Sequence, residues 1–199
     1  ENVRTLSVDV GGSGVKVMLL DIKGNPLTKK LRLQTPKPAS KKLVIDAILK
    51  LAGMVGEFER VAVGFPGVVK NGITHAAVNL HSDWMGFDLA TALSVLLKKP
   101  VRVVNDADMQ GLAAVSGQGV ELVITLGTGF GSALFINGTL VPNLEMGHHI
   151  FCYGETYEQQ LGRAALEKIG DDKWNQRLYK AIESLQNLFN CDYLYIGGG

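Results

Sequence analysis

The sequence predicts an α/β fold built from two halves that begin in the same way. Three observations carry this prediction: apolar runs of strand length, segments with helical apolar spacing between them, and a strand–glycine turn–strand pattern that occurs twice. An internal duplication explains the repeated pattern economically. Chance is the alternative, because glycine-rich hairpins are common.

The first half reads as a three-stranded meander followed by helices and buried strands. Each predicted strand alternates in polarity or is wholly apolar, and Gly, Pro or Asn residues bound it. Strands are predicted at residues 5–10, 15–20, 27–33, 61–65 and 101–104. Ser40 is expected to cap a helix with apolar residues at helical spacing, and Asp88 to cap a second helix over residues 89–97. A third helix is predicted over residues 109–115.

The second half repeats the opening meander. Residues 121–126 form a predicted strand that leads into the glycine-rich turn 127–131, and further strands follow at 132–136 and 139–141. We therefore expect two α/β domains, residues 1–117 and residues 118–199.

Composition excludes several classes of protein. The chain has 199 residues, of which 46% are hydrophobic and 20% charged, as in globular proteins. A net charge of +1 indicates no nucleic-acid partner, and no apolar run approaches the ~20 residues that a membrane span needs. Cys152 and Cys191 are too few for a disulfide framework, and Glu1 begins no signal-peptide pattern, so a cytoplasmic location is expected.

The two glycine-rich turns are candidates for binding phosphate. Consecutive glycines expose backbone N–H groups that no Cβ shields, which suits a polyanionic phosphate chain. Neither turn is a Walker A loop or a GxGxxG motif that opens a helix, because each leads into another strand. The commonest nucleotide-binding folds are thereby excluded.

Six motifs in the same order resemble those of the ROK family of sugar kinases, and most closely its polyphosphate/ATP glucokinase branch. They are Asp9-Val-Gly-Gly-Ser-Gly-Val-Lys16, Gly64-Phe-Pro-Gly-Val68, residues 79–84, Val104-Asn-Asp-Ala-Asp108, Leu126-Gly-Thr-Gly-Phe-Gly131 and Glu145-Met-Gly-His148. This resemblance implies an actin-like ATPase (ribonuclease H-like) fold, with two α/β domains around a cleft. Relatives continue past Gly199 with a further helix–strand–helix stretch, so the second domain is expected to be incomplete.

The resemblance assigns the reaction chemistry to two carboxylates. Asp106 matches the general base that takes the proton of the attacking sugar hydroxyl, and its place after a buried strand suits that role. The alternative is that Asn105 and Asp106 only cap the following helix. Asp9 matches the residue that holds Mg²⁺ through water.

The resemblance also assigns the ligand-binding residues. Phosphate-binding residues are Gly11, Gly12, Ser13, Lys16, Gly127, Thr128 and Gly129, although Lys16 could also be a solvated side chain. Sugar-binding residues are Gly67, Asn79, Asn105, Asp106, Glu145, His148 and Glu158, with Glu158 the weakest match. Gly197 and Gly198 match the adenosine motif, and Trp84 and Trp174 are expected to pack rather than to stack on a ligand.

Cofactors and partners follow from the same resemblance. We expect Mg²⁺, ATP or polyphosphate as the phosphoryl donor, a small-molecule sugar, and a homodimer. No structural zinc is expected, because Cys152 alone is left of the family's cysteine motif and His148 and His149 would complete only a poor site.

The predicted function is transfer of a phosphoryl group from ATP or polyphosphate to the 6-hydroxyl of glucose. The first alternative is a sugar sensor without catalysis, since some ROK proteins are repressors. Those repressors carry an N-terminal helix-turn-helix, whereas here a strand begins by residue 4. An actin-like scaffold or chaperone ATPase is a further alternative, but it would have no need of Asn79, Glu145 and His148 together.

Overall fold

Two larger sheets, which correspond in the order of four strands, organise the chain. The computed structural model describes residues 3–75 and 80–198. These divide into one compact unit within residues 1–109 and another within residues 110–199. Each unit combines a sheet with helices, so the predicted α/β class is confirmed. The assignment of domains to residues 1–117 and 118–199 stays a prediction.

The first unit contains most of the predicted elements. Its strands are β1 (Thr5–Val10), β2 (Gly14–Leu20), β3 (Leu31–Gln34), β4 (Arg60–Phe65), β5 (Val69–Lys70), β6 (Ile73–Thr74), β7 (Phe87–Asp88) and β8 (Val101–Asn105). Its helices are α1 (Lys41–Ala52) and α2 (Leu89–Leu97), and α3 (Asp106–Leu112) crosses into the second unit. The Asp88 carboxylate caps α2 by accepting the Thr91 N–H at 2.9 Å, as predicted.

The second unit adds helices that the sequence analysis did not identify. Its strands are β9 (Val120–Leu126), β10 (Phe130–Ile136), β11 (Thr139–Val141), β12 (Ile150–Cys152), β13 (Glu155–Thr156) and β14 (Tyr193–Gly198). Its helices are α4 (Tyr157–Leu161), α5 (Arg163–Ile169) and α6 (Asp171–Phe189). Among the described residues, no helix is both long enough and apolar enough to cross a membrane.

The strand order confirms the repeat. The first sheet is ordered β3-β2-β1-β4-β8 and the second β11-β10-β9-β14. In both, an antiparallel meander of three strands receives a parallel strand beside its first member, namely β4 beside β1 and β14 beside β9. The glycine-rich turns, between β1 and β2 and between β9 and β10, therefore occupy equivalent positions in the two units.

Each unit has its own hydrophobic core. In the first, the inward side chains of β1, β2 and β4 pack against α1, α2 and Trp84. In the second, Leu122 and Ile124 of β9 pack against Tyr157 and Leu161 of α4 and against Leu185 of α6. The cores hold the strands rigidly, so the turns and strand ends keep fixed positions.

Two predicted elements and one predicted helix cap differ in the structure. The helix expected at residues 109–115 begins at Asp106, because the Asn105 side-chain oxygen accepts the N–H groups of Ala107 and Asp108 and starts the helix directly after β8. The strand expected at 27–33 is shortened to β3. The Leu19 N–H donates to the Thr28 hydroxyl, where a continuous strand would offer it a backbone carbonyl.

Ser40 occupies the N-cap position of α1, but its side chain makes no capping hydrogen bond. The Asp83 carboxylate instead accepts the N–H of Lys41, at 3.2 and 3.3 Å.

A buried carboxylate in β9 binds the backbone of residues 116–118, which precede that strand. Glu121 is fully buried, and its two oxygens accept the N–H groups of Ser116, Gly117 and Gln118 and the hydroxyls of Ser116 and Tyr195. Burial alone raises the pKa of Glu121, but the hydrogen bonds outweigh it and the pKa is lowered. The ionised form is therefore the one that the fold stabilises.

We expect Glu121→Gln to lower the melting temperature at neutral pH by on the order of 5 °C, because an amide cannot accept all of these hydrogen bonds. A carboxyl whose pKa is lowered by folding stabilises above its unfolded pKa, near 4.3, and loses that effect as the pH falls through the folded value. The gap between variant and wild type should therefore narrow in acid. Thermal melts from pH 7 to pH 3 test this, with Glu183→Gln on the exposed face of α6 as the control.

Candidate active site

The first glycine-rich turn lies beside a carboxylate and a lysine. Asp9 of β1 and Lys16 of β2 are cross-strand partners, and the Lys16 Nζ lies 2.9 Å from the Asp9 Oδ2. The Gly11 N–H donates to the Gly14 carbonyl at 3.0 Å and closes the turn, which leaves Gly12 and Ser13 exposed at its tip. The turn thus presents backbone N–H groups next to one anion and one cation.

Two residues that the sequence analysis missed support this turn. Arg32 of β3 is paired with Lys16, and its Nη2 donates to the Ser13 carbonyl at 3.2 Å. The Thr35 hydroxyl donates to the Gly11 carbonyl at 2.5 Å. Both contacts depend on how β3 pairs with β2, and no local motif marks that register.

Asp9 and Asp106 lie at the same edge of the first sheet. The parallel strands β1, β4 and β8 place Asp9 beside Gly64 and Gly64 beside Val104, and Asp106 follows two residues later. A Cβ on Gly64 would lie 2.7 Å from the Met109 Cε and 3.4 Å from the Asp106 Cα, so α3 packs directly against β4 at this glycine. Asp106 itself is half-buried. Its Oδ1 accepts the Ala107 N–H at 2.9 Å.

Asn105 and Gly67, both predicted to contact the sugar, are joined to each other. The Asn105 Nδ2 donates to the Gly67 carbonyl at 3.2 Å, and the Asn105 side chain is buried. Its Oδ1 accepts the Ala107 N–H at 2.8 Å. The amide therefore ties the β4 loop to the start of α3 and fixes the backbone that carries Asp106. Asn79, the remaining sugar candidate of this half, lies outside the described residues.

The second glycine-rich turn is packed against helices α4 and α5. The Gly127 N–H donates to the Gly129 carbonyl at 3.2 Å, and the Arg163 N–H donates to the Gly127 carbonyl at 2.9 Å. Thr128 is exposed at the tip. A Cβ on Gly129 would meet the end of the Glu158 side chain, so the Glu158 carboxylate lies directly against this turn.

Glu158 is held at the second turn by its helix. Thr156 and Gln159 form a reciprocal capping box that fixes the first turn of α4, where Glu158 lies. The Phe130 N–H donates to the Glu158 Oε2 at 3.4 Å. The weakest sugar-binding candidate of the sequence is thus brought against the predicted phosphate turn.

Glu145 and His148 belong to the same group of side chains. The segment before them is fastened to β10, because the Ser132 hydroxyl donates to the Leu144 carbonyl at 2.5 Å and accepts the Met146 N–H at 3.2 Å. The His148 Nε2 lies 3.7 Å from the Glu145 Oε2. The pKa of Glu145 is raised. Burial is the largest cause, the charge of His148 opposes it, and the charge of Glu158 adds to it.

Gly197 and Gly198 line a concavity at the end of the second sheet. The sequence predicted that these glycines follow a strand, but they are part of strand β14 itself. Gly198 has φ +116°, and a Cβ there would collide with the Leu126 carbonyl. The concavity measures about 260 Å³, and its lining comprises Leu126, Gly127, Leu161, Arg163, Leu166, Trp174, Gly197 and Gly198. It adjoins the second turn through Gly127.

Both tryptophans pack against hydrophobic side chains; that Trp174 does not stack on a ligand stays a prediction. Trp84 is fully buried between Phe65 and Phe87. Trp174 packs into the second core and donates its Nε1–H to the Leu161 carbonyl at 3.0 Å. Trp174 also lines the concavity.

One carboxylate, Asp9, lies where a magnesium site was expected. Within residues 3–75 and 80–198, no three His, Cys, Asp or Glu side chains come together as metal ligands. Mg²⁺ usually keeps several waters and takes one or two carboxylates together with substrate phosphates, and Asp9 beside the first turn fits that habit. The expected absence of zinc stays a prediction.

Comparison with known proteins identifies the family. The model of the ROK family matches residues 5–155. The chain belongs to the ROK family. The resemblance inferred from the six motifs is therefore confirmed, and so is the actin-like ATPase fold that it implied.

Individual relatives of this ROK chain are kinases by name. The polyphosphate glucokinase of Mycobacterium tuberculosis (strain ATCC 25618 / H37Rv) is 32% identical over 202 residues, which are 96% of this chain and 76% of the relative. The crystal structure of an inorganic polyphosphate/ATP-glucomannokinase from Arthrobacter sp. strain KM matches with a TM-score of 0.90 and 34% identity, over 100% of this chain and 84% of that one.

A ROK glucokinase from Streptomyces griseus, solved with glucose and AMPPNP, matches with a TM-score of 0.81 over 98% of this chain and 83% of that one. At 21% identity, this comparison bears on the fold alone.

Proposed function

We propose that this chain is a sugar kinase that transfers a phosphoryl group from ATP or polyphosphate to the 6-hydroxyl of glucose. The observation that carries the proposal is the place of Asp106, at the same sheet edge as Asp9 and the first glycine-rich turn. The names of the relatives at 32% and 34% identity support the same reaction. Phosphoryl transfer requires positioning and charge neutralisation more than covalent chemistry, so few residues suffice.

Asp106 acts as the general base in this proposal. The sugar hydroxyl oxygen forms a bond to the terminal phosphorus while the bond from phosphorus to the donor's leaving oxygen breaks, and the hydroxyl proton passes to the Asp106 carboxylate. The Ala107 N–H and the Asn105 amide fix the backbone around that carboxylate. Capping of α3 and catalysis are then compatible roles of one segment.

The glycine-rich turns hold the phosphates. Gly11, Gly12 and Ser13 in the first unit and Gly127, Thr128 and Gly129 in the second supply N–H groups and hydroxyls. Asp9 would hold Mg²⁺ through water, and bound Mg²⁺ neutralises phosphate charge during transfer. Lys16, which is paired with Asp9 in the structure, offers a cation to the same phosphates.

The sugar is recognised by amides, carboxylates and an imidazole. Glu145, His148 and Glu158 form one group in the second unit, where two carboxylates and an imidazole can bind adjacent hydroxyls. Asn79 and Asn105, together with the Gly67 backbone, provide the contacts assigned to the first unit. Gly197 and Gly198 line the concavity that would receive the adenosine of ATP.

A coupled assay for sugar 6-phosphate tests the proposal. With glucose and Mg²⁺ present, we expect turnover with ATP, with long-chain polyphosphate, or with both, and mannose serves as a second acceptor because one relative is a glucomannokinase by name. Melting temperatures with and without glucose are measured in parallel. No product with any donor, together with a glucose-dependent rise in melting temperature, would contradict catalysis and favour the sugar sensor.

A further inference from the structure

The near-zero net charge conceals a strong asymmetry between the two units. Residues 1–109 carry 15 Lys and Arg against 10 Asp and Glu, whereas residues 110–199 carry five against nine. The first unit therefore has a net charge of +5 and the second of −4. Cations of the first unit are thus available in excess of its carboxylates.

That excess is concentrated in one stretch, residues 22–45, here called the basic segment. Between Asp21 and Asp46 there is no acidic residue, but there are seven basic ones: Lys23, Lys29, Lys30, Arg32, Lys37, Lys41 and Lys42. The segment includes β3, which is the edge strand of the first sheet. Leu31 and Leu33 of β3 pack toward the core, whereas Arg32 is exposed.

Arg32 connects the basic segment to the first glycine-rich turn. It donates to the Ser13 carbonyl at 3.2 Å, and its strand neighbour Lys16 pairs with Asp9. Asp9, Lys16 and Arg32 therefore form a row across three adjacent strands on one face of the sheet. A phosphate chain bound at Gly12 and Ser13 would meet Arg32 first on its way to the rest of the segment.

Several charges of the basic segment are not neutralised by the protein. Lys42 pairs with Asp46 at 2.8 Å, and Lys41 lies over the Phe87 ring. Lys29, Lys30 and Lys37 are exposed, and within the described ranges none of them comes within ion-pairing distance of a carboxylate. Lys37 follows the end of β3 that lies beside the turn, and Lys29 and Lys30 precede its other end. Three uncompensated ammonium groups spread along this edge of the sheet favour a long ligand with many negative charges.

We infer that the basic segment binds the distal phosphates of a polyphosphate chain whose reacting end lies at the turn Gly11–Gly14. Linear polyphosphate carries a charge on every phosphate, so it can contact Arg32, Lys30, Lys29 and Lys37 in addition to the turn. ATP has only three phosphates, which can meet Arg32 at the turn but gain nothing from Lys29, Lys30 and Lys37. This role rests on the phosphoryl transfer proposed above and assigns a specific surface to one of its donors.

The test compares two triple variants that lose the same charge. Lys29→Gln/Lys30→Gln/Lys37→Gln neutralises the basic segment, and Lys98→Gln/Lys168→Gln/Lys180→Gln neutralises exposed lysines elsewhere. We expect the first variant to raise the KM for long-chain polyphosphate about tenfold. The slope of log KM against log salt should fall by about 2, since each phosphate contact contributes about 0.7 for a single-stranded polyanion. The KM for ATP and for tripolyphosphate should not change, and the control triple should resemble wild type.

Unchanged KM and salt slope in the first variant would overturn the inference and leave the lysines as protection of an edge strand against aggregation. The inference would also be overturned if a single-stranded oligonucleotide of matched charge bound the basic segment as tightly as polyphosphate does, because the surface would then bind any polyanion. Binding of long-chain polyphosphate, measured directly by calorimetry, tests this inference separately from the kinase proposal. If no donor is turned over, binding that weakens in the first triple still supports the surface, and equal binding by both triples refutes it.

Discussion

Asp106→Asn should lower kcat for glucose phosphorylation by about 10²- to 10⁴-fold, because an amide cannot accept the proton of the attacking hydroxyl. The fold should persist. The carboxylate oxygen that accepts the Ala107 N–H at 2.9 Å has a counterpart in the asparagine side-chain oxygen, and the Asn105 amide still starts α3. The loss should therefore appear in kcat with both donors, while the melting temperature stays close to that of wild type.

Asp46→Asn is the matched control, since it makes the same chemical change at an exposed carboxylate of α1 that pairs only with Lys42 among the described residues. The coupled assay gives kcat, and the glucose-induced rise in melting temperature reports sugar binding independently. An Asp106→Asn protein that keeps more than about a tenth of wild-type kcat would exclude Asp106 as the base. Loss of glucose binding along with kcat would instead make Asp106 a sugar ligand first.

The parts of the site that could be predicted from sequence are those with a local signal. A glycine-rich turn between two apolar strands marks the first and second phosphate turns, and a carboxylate at the end of an apolar strand marks Asp9, near the end of β1, and Asp106, directly after β8. Strand direction then places both carboxylates at one sheet edge, because the ends of parallel strands meet there. The local signals thus identify the residues, and the parallel pairing of β1, β4 and β8 brings them together.

The residues that could not be predicted depend on how one segment pairs with or packs against another. Arg32 reaches the first turn only because β3 pairs with β2 in a register that sets Arg32 opposite Lys16, and a slip of one residue would turn Arg32 to the other face. Glu158 reaches the second turn because α4 packs behind it, 28 residues along the chain from Phe130. The spacing of the motifs contains neither fact.

Asn105 shows a different limit of sequence reasoning. Its residue type suits both hydrogen bonding to a sugar and capping of a helix, and the sequence left these alternatives open. The structure shows the capping bonds to Ala107 and Asp108 and the bond to the Gly67 carbonyl. Sugar contact by Asn105 stays a proposal, and an isosteric Asn105→Asp change would be expected to disturb the bond that its Nδ2 donates.

Removal of the Trp84 side chain is expected to cause the largest loss of stability. Its side chain is fully buried against Phe65, with ring centroids 4.9 Å apart, and against Phe87, and its Nε1–H donates to the Ala39 carbonyl at 2.9 Å. Phe65 ends β4, which lies between β1, the strand that contains Asp9, and β8, the strand that precedes Asp106. The ring therefore packs beneath the sheet edge that carries the proposed catalytic carboxylates.

Trp84→Ala should lower the free energy of unfolding by about 3–5 kcal/mol, because it leaves a cavity the size of an indole in a close-packed core. For a chain of this length, that corresponds to a fall in melting temperature on the order of 10 °C. Trp84→Phe should cost less, since it keeps most of the ring and loses the bond to Ala39. Urea denaturation measures both, with Tyr179→Ala as the control, because Tyr179 is 75% exposed. If Trp84→Ala melted within about 2 °C of wild type, the packing described for this core would be wrong.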